Sequence, residues 1–500
     1  AGAGASSGMA MAHWEIQGWM ILILGWVFVP FYTRSMVYTM PEFLERRYNP
    51  QSRTILSVIS LVSYVLTKVA VTVYAGGLVF QQVFGIKELW GIDFFWIAAI
   101  GLVVLTALYT IFGGMKSVLY TSVLQTPILL LGSLIILVLG FKELGGWDEM
   151  MRVCGAVTVN DYGDTMTNLI RSNDDANFPW LGALIGSAII GFWYWCTDQF
   201  IVQRVLSGKN EMEARRGTIF GAYLKLLPVF LFLIPGMIAF ALHQKYIGAG
   251  GEGFLPMLAN GTANADAAFP TLVAKLLPAG VKGLVVCGIL AALMSSLASL
   301  FNSSAMLFTI DFYKRFKPET PEKKLVGIGQ IATIVIVVLG ILWIPIMRSV
   351  GDVLYTYLQD VQSVLAPGIA AAFLLGICWK RTSAQGGMWG LISGMVIGLT
   401  RLGAKVYYSN AGEVADSTFK YLFYDMNWLF FCGWMFLFCI IVVIVVSLAT
   451  EAPTAEKIQG LVFGTATKEQ KAATRASWNH WDIIHTVIIL AITAAFYWYF

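Results

Sequence analysis

A succession of apolar stretches, each long enough to cross a bilayer, constrains the fold of this chain more than any other feature. A helix needs about twenty predominantly apolar residues to span the hydrocarbon core. We predict twelve such spans, at 16–32, 54–84, 89–112, 117–141, 178–196, 217–242, 281–313, 325–347, 353–379, 386–402, 428–449 and 482–500. Only helices and closed barrels satisfy their backbone groups in lipid. The chain is therefore predicted to be an all-α polytopic membrane protein, with the lipid bilayer as its first partner.

Composition excludes two broad classes of protein. Charged residues make up 12% of the chain and hydrophobic residues 58%, whereas a soluble domain carries about 25% charged residues. A soluble enzyme is therefore excluded. The net charge of +4 is small and scattered, so no nucleic acid is expected as a partner. The histidines and cysteines show no metal-ligand or disulfide spacing, and we expect neither a structural metal nor an organic cofactor.

The distribution of lysine and arginine predicts the orientation. Of the 33 lysines and arginines, twenty fall in one set of alternate loops and eleven in the other. Cytoplasmic loops keep the excess of positive charge. The long loops 142–177 and 243–280, and the C-terminus, are therefore predicted to lie outside the cell, with the protein in the plasma (cytoplasmic) membrane.

The predicted span 281–313 carries hydroxyl groups where lipid would favour apolar side chains. Ser295 and Ser296 lie beside the carbonyl of Ala292, and Ser295 begins a polar stripe that continues at 299, 302 and 303. Uncharged oxygens suit a monovalent hard cation that must be bound and then released. For any single serine, the alternative is helix packing with the hydroxyl bonded to its own backbone.

Other polar residues inside spans suggest a solute site. Gln359 and Gln362 share a helix face, and amides that both donate and accept suit a hydroxyl-rich solute; an interhelical amide network is the alternative. Lys225 lies too deep to reach water easily and requires a carboxylate, a carbonyl cage or an aqueous cavity. Lys68 is equally well explained as a member of a structural ion pair. Glu15, one residue before a span, is also explained as an interfacial carboxylate.

An aromatic cluster occurs at 191–199, where the sequence is GFWYWCTDQ. Aromatic belts at the membrane interface explain most such clusters. Flat rings also stack on the apolar face of a sugar. The preceding span is short, begins at Pro179 and is rich in glycine, so we predict a broken helix that lines a cavity.

Several long segments resemble the sodium/solute symporters, and within them the sodium/glucose cotransporter branch. They are VPFYTRSMVYTMPEFLERRY at 29–48, ALYTIFGGMKSVLYT at 107–121, WYWCTDQFIVQRVLSGKN at 193–210, GAYLKLLPVFLFLIPGMIAF at 221–240 and LAALMSSLASLFNSSAMLFTIDFY at 290–313. The similarity extends from residue 1 to about 450. It implies a LeuT-like fold of two inverted five-helix repeats, a solute site near the middle of the membrane, and inward sodium flow that drives solute uptake by alternating access.

The resemblance also implies how the chain is divided. Residues 1–500 form one transporter domain, in which 1–12 are the remaining part of a broken first helix, 16–141 complete the first repeat, 178–379 form the second repeat, and 386–500 are additional C-terminal helices. In the family, the first half of the broken helix supplies sodium-binding carbonyls. We expect that half to precede residue 1.

Site residues are carried over position by position from the family's motifs. The resemblance implies sodium ligands at Ser295, Ser296 and the carbonyl of Ala292. It implies solute contacts at Glu15, Lys225 and Gln359, a gating ring at Tyr194, and cavity walls at Trp14 and Trp195. Gln362, which shares a helix face with Gln359, is predicted as a further solute contact. Three positions depart from the family. Ser122 replaces an aspartate associated with a second cation, Gly191 replaces a threonine or asparagine that faces the sugar, and Gln362 replaces a threonine.

The sequence therefore predicts a sodium-coupled secondary active symporter that imports a monosaccharide or related polyol, with sodium as the cotransported ion and no obligate protein partner. Glu15, Lys225 and Gln359 favour a sugar. Alternatives are symport of an amino acid, a carboxylate or a vitamin, coupling to protons, or a sensor that binds the solute without transport. An enzyme or proton-pumping subunit is disfavoured, because the spans show neither cofactor ligands nor a connected chain of charges.

Overall fold

The computed structural model describes residues 1–37, 39–258, 261–350, 354–410 and 415–500. At residues 109, 111–119, 121–122, 124, 346–350, 355–356 and 410 it describes only the helical backbone. The side chain of Ser122, one of the departures from the family pattern, therefore lies outside the described part of the protein.

The described chain is mostly helical. Its α-helices are Gly2–Ser7, Ala12–Glu15, Gly18–Ile23, Val29–Ser35, Met40–Arg47, Pro50–Ser63, Ala70–Phe84, Phe94–Leu144, Trp147–Gly155, Trp180–Gly191, Gln199–Leu206, Glu211–Pro228, Ile234–Gly248, Ala268–Leu276, Ala279–Met306, Lys314–Phe316, Glu322–Val350, Leu354–Cys378, Ala384–Asn410, Thr418–Lys420, Trp428–Ala449, Ala455–Ile458, Lys468–Ala476 and His480–Tyr499. Short 3₁₀ segments are Gly8–Met11 and Ala265–Ala267. One small antiparallel hairpin pairs Glu88–Leu89 with Ile92–Asp93.

Several of the long helices contain a π-helical segment. These segments are Leu24–Phe28, Tyr64–Val69, Phe192–Thr197, Val229–Leu233, Leu307–Tyr313 and Tyr421–Asp425. A π-helical turn widens the helix and re-aims the side chains that follow it, and such turns often occur at functional sites. Two of them, Tyr64–Val69 and Phe192–Thr197, adjoin the buried polar groups described below.

Among the described residues, ten helices are long and apolar enough to cross a membrane, compared with the twelve predicted. The helix Ala384–Asn410 forms where the span 386–402 was predicted, and its crossing of the membrane stays a prediction because it is not among the ten. One prediction was wrong in detail. The spans 89–112 and 117–141 are joined in one helix, Phe94–Leu144, since the glycine pair between them weakens a helix without ending it.

The joined helix is longer than one crossing of the membrane requires. Its 51 residues extend for about 75 Å, more than twice the hydrocarbon thickness of about 30 Å. Within its described side chains, Gln125–Leu144 meets the length and hydropathy of a span, and Phe94–Leu108 is a shorter apolar segment. A left-handed glycine, Gly145, ends the helix with φ 114°.

The helices pack closely where small residues meet. Ala279–Met306 packs along Phe94–Leu144, and Leu354–Cys378 packs against both Ala384–Asn410 and Trp428–Ala449. At Gly368, an added Cβ would lie 2.9 Å from the Cα of Gly394, so the two backbones are nearly in contact. Small residues permit this approach in membrane helices, and it packs Leu354–Cys378 tightly against Ala384–Asn410.

Candidate functional site

One cavity of about 210 Å³ brings together the predicted solute residues. It is lined by Trp14, Glu15, Gln17, Ile190, Gly191, Tyr194, Trp195, Lys225, Leu358, Gln359 and Gln362. All seven predicted solute residues are in this set. The cavity is smaller than the roughly 300 to 1,000 Å³ of pockets for drug-sized ligands, so its size matches a small solute.

An ion pair lies in the wall of the cavity. Lys225, on the helix Glu211–Pro228, donates to Glu15 with its Nζ 2.7 Å from the carboxylate Oε2. Glu15 ends the short helix Ala12–Glu15. The two side chains keep 15% and 16% of their surface exposed, so the pair lies in the cavity wall and is not sealed in protein. The requirement that Lys225 have a carboxylate or an aqueous cavity is met by both together.

The helix Leu354–Cys378 contributes two amides. Gln359 and Gln362 are 6% and 4% exposed and lie three residues apart, on one helical face. The Oε1 atom of Gln359 is buried, and no described residue donates a hydrogen bond to it. An interhelical amide network would have paired that oxygen, so its isolation favours a binding role over a packing role.

Aromatic rings close the other side of the cavity. Tyr194 and Trp195 belong to the π-helical segment Phe192–Thr197, with their ring centroids 5.0 Å apart at 82°. The Trp195 ring also lies 5.6 Å from the Lys225 ammonium. Trp14 is 3% exposed and stacks on Trp428 at 5.4 Å.

The predicted helix break occurs immediately after these rings. The helical chain that begins at Trp180 stops at Asp198, which has the extended angles φ −78° and ψ 127°, and resumes at Gln199–Leu206. Asp198 caps the second part, accepting from the backbone N–H of Phe200 at 3.1 Å. The break thus follows the span predicted at 178–196, and a broken helix within that span stays a prediction.

Asp198 also pairs with Lys68, the second lysine that lies within a span. The Lys68 ammonium donates to the Asp198 carboxylate, and the Tyr64 hydroxyl donates to the same carboxylate at 2.8 Å. The pair is enclosed, with side-chain exposures of 10% for Lys68 and 2% for Asp198. Four ring centroids lie within 4.4 to 6.0 Å of the ammonium, those of Tyr64, Trp193, Tyr194 and Phe200.

The three predicted sodium ligands lie on one helix, Ala279–Met306. Ser296 is exposed, and Ala292 and Ser295 are half-buried. None of the three lines the cavity of Glu15 and Lys225.

Further along the polar stripe, the hydroxyls are bonded to the helix itself. Ser299 donates to the Ser295 carbonyl at 2.9 Å, and Ser303 donates to the Ser299 carbonyl at 2.8 Å. For these two serines the packing interpretation is therefore correct. Asn302, between them, has a buried Nδ2 that meets no acceptor among the described residues.

The residue that the sequence analysis missed is Gln17. It is 3% exposed, lines the cavity, and donates from Nε2 to the Ser187 carbonyl at 2.8 Å. The rule that polar side chains within spans need a reason applies to Gln17 as it does to Gln359, and would have identified it.

Comparisons with known proteins agree with this architecture. A model of the sodium:solute symporter family matches residues 1–394. The chain belongs to the sodium:solute symporter family. The family is one of transporters rather than enzymes, and the ten long apolar helices make this symporter an integral membrane protein.

Two relatives of the symporter carry names that specify a solute. It is 35% identical to the Homo sapiens sodium/myo-inositol cotransporter 2, over 93% of this chain and 70% of that protein. It is also 35% identical to the Bos taurus sodium/mannose cotransporter SLC5A10, over 96% of this chain and 83% of that protein.

The fold of the symporter is shared with a solved structure. That structure is a substrate-bound, outward-open Na⁺-coupled sialic acid symporter, with a TM-score of 0.68 at 20% identity, over 91% of this chain and 86% of that chain. The LeuT-like fold class that the sequence predicted is therefore confirmed. Its division into repeats at 16–141 and 178–379 stays a prediction.

Proposed function

We propose that this protein is a sodium-coupled symporter that imports a monosaccharide or related polyol by alternating access. The observation that carries the proposal is the cavity itself, in which a carboxylate, an ammonium and an unpartnered amide oxygen converge beside aromatic rings. The relatives named for myo-inositol and mannose support the same solute class.

The chemistry of the cavity fits a neutral solute with many hydroxyls. Glu15 accepts hydrogen bonds, Lys225 donates them, and the Gln359 oxygen accepts one more. Because Glu15 and Lys225 neutralise one another at 2.7 Å, the cavity has no net charge to be matched by a charged solute. Trp195 and Tyr194 offer flat faces to the C–H surface of a sugar ring. A carboxylate solute would compete with Glu15 for Lys225, which disfavours the carboxylate alternative.

We propose sodium binding at Ser295, Ser296 and the Ala292 carbonyl. These are uncharged oxygens on one helix, and the exposure of Ser296 leaves its hydroxyl open to an ion. Weak, uncharged ligands allow an ion to be released after transport. Sodium is thus cargo that moves with the solute, and not a resident metal of the protein.

The decisive experiment is uptake by the purified protein alone in liposomes. Labelled glucose, galactose, mannose and myo-inositol are offered under an inward sodium gradient, with choline and an inward proton gradient as controls. We expect accumulation of at least one solute with sodium only. Accumulation with protons only would reject sodium coupling, and binding without uptake would identify a sensor. Because no other protein is present, uptake would also establish that no protein partner is obligatory.

Ser296→Ala tests the sodium site. We expect the half-saturating sodium concentration to rise at least tenfold, because removal of one of a few ligand oxygens leaves the ion under-coordinated. The matched control is Ser393→Ala, whose hydroxyl donates to the Gly390 carbonyl of its own helix. Unchanged sodium activation in Ser296→Ala would reject this site while leaving the solute cavity in place.

We also propose that the C-terminus lies outside the cell, as the excess of lysine and arginine in the opposite loops indicates. An epitope placed after Phe500 should be labelled by antibody on intact cells. Labelling that requires permeabilised cells would reverse the orientation.

A further inference from the structure

We infer that Gln17 is a specificity-determining residue of the solute cavity. Its side-chain amide lies in the space that Gly191 leaves open, and the amide oxygen accepts a hydrogen bond from one solute hydroxyl. The inference rests on the proposed function of the same cavity. It assigns a contact that neither the polar residues identified in the sequence nor the family motifs supplied.

The Gln17 amide is held in one orientation. Its Nε2 donates to the carbonyl of Ser187 at 2.8 Å, on the helix Trp180–Gly191. With the nitrogen fixed in that bond, the oxygen of the planar amide must point the other way. No described residue donates to this oxygen, and Gln17 is part of the cavity wall. A solute hydroxyl in the cavity can therefore donate to this oxygen.

Gly191 provides the space in which this amide lies. A Cβ at Gly191 would lie 2.7 Å from the Gln17 oxygen, 3.0 Å from Cδ and 3.1 Å from Nε2. Every one of these distances is shorter than an ordinary van der Waals contact. The Gln17 amide can therefore keep this position only while residue 191 is glycine. The polar group that position 191 lacks is supplied by Gln17 from a different helix.

A purely structural role makes a different prediction. If Gln17 served only to join two helices through Ser187, its loss would weaken the binding of every solute alike. If the Gln17 oxygen accepts a hydrogen bond from one hydroxyl, the loss of Gln17 would weaken the binding only of solutes that carry that hydroxyl. Solute analogues that each lack one hydroxyl separate the two roles.

The experiment compares Gln17→Ala and Gln17→Leu with the unmodified protein in the liposome assay. The probes are the best transported sugar or polyol and its single-deoxy analogues. We expect the half-saturating concentration of the parent solute to rise about 3- to 10-fold, the effect of one lost hydrogen bond. For one deoxy analogue, the half-saturating concentration should be the same in the variant and in the unmodified protein, because the hydroxyl that Gln17 contacts is already absent. Leucine keeps the side-chain volume, so it provides a second variant should alanine impair folding.

Gly191→Ala tests the coupling. In the unmodified protein it should displace the amide and raise the half-saturating concentration, whereas in the Gln17→Ala background it should add nothing. The matched control is Gly217→Ala, where an added Cβ meets nothing within 4 Å. Equal losses for all analogues, or additive effects of the two substitutions, would overturn the inference alone. Absence of uptake by the unmodified protein would instead reject the proposed function.

Discussion

Lys225 and Lys68 both lie within membrane helices and are both paired with a carboxylate, but they have opposite surroundings. Lys225 and Glu15 meet in the wall of a cavity, each with about one-sixth of its side chain exposed. Lys68 and Asp198 are enclosed by aromatic rings, and Asp198 keeps only 2% exposure. What surrounds an ion pair, more than the pair itself, decides whether a solute can reach it.

The difference in surroundings implies a difference in energetics. An enclosed pair has lost nearly all its hydration, so each charge depends on the other for compensation. The rings around Lys68 add cation–π attraction, and Tyr64 adds a hydrogen bond to Asp198. The pair in the cavity wall retains access to water or solute and can redistribute its hydrogen bonds. We therefore interpret the Lys68 pair as structural and the Lys225 pair as part of the proposed binding site.

The largest expected effect follows from breaking the enclosed pair. Lys68→Met should lower the free energy of unfolding by about 3 to 5 kcal/mol, because it leaves the Asp198 carboxylate buried without compensation. The measurement is the unfolding midpoint of the purified protein in detergent. The double variant Lys68→Met with Asp198→Asn removes both charges and should recover most of the loss. No loss in the single variant would show that the enclosure admits water.

A large effect on uptake, with a smaller one on stability, is expected for the pair in the cavity. Lys225→Met should raise the half-saturating solute concentration at least tenfold, since a hydrogen bond from a charged donor contributes about 1.5 to 3 kcal/mol. Its unfolding midpoint should fall less than that of Lys68→Met, because Glu15 can still be hydrated. Should both variants lose equal stability, the contrast between the two pairs would be wrong.

The smallest expected effect is at the neutral amide. Gln359→Ala should raise the half-saturating solute concentration about 3- to 10-fold, as for one lost hydrogen bond, with little change in sodium activation. Gln330→Ala, on the helix Glu322–Val350 and outside the cavity, is the matched control. A parallel loss of solute and sodium affinity would mark Gln359 as a packing residue.

The predictions from sequence succeeded where the signal is local. Apolar stretches predicted ten of the helices that can span a membrane, because the transfer free energy of a segment depends mainly on its own residues. The seven solute residues, taken from family motifs and from polar side chains in apolar helices, lie in one cavity. The junction within Phe94–Leu144 was predicted wrongly, because a helix ends by hydrogen-bond geometry and not by a dip in hydropathy.

The sequence by itself determined that the chain is a membrane protein. It also determined which segments are apolar enough to cross the bilayer and which polar side chains lie within those segments. Only the tertiary structure decided which charged side chains form ion pairs. Lys225 and Glu15 are 210 positions apart, and Lys68 and Asp198 are 130 apart. Contacts over such separations depend on helix packing and on the turns that re-aim side chains. For the same reason, the fit of Gln17 against Gly191 became visible only once their helices were side by side.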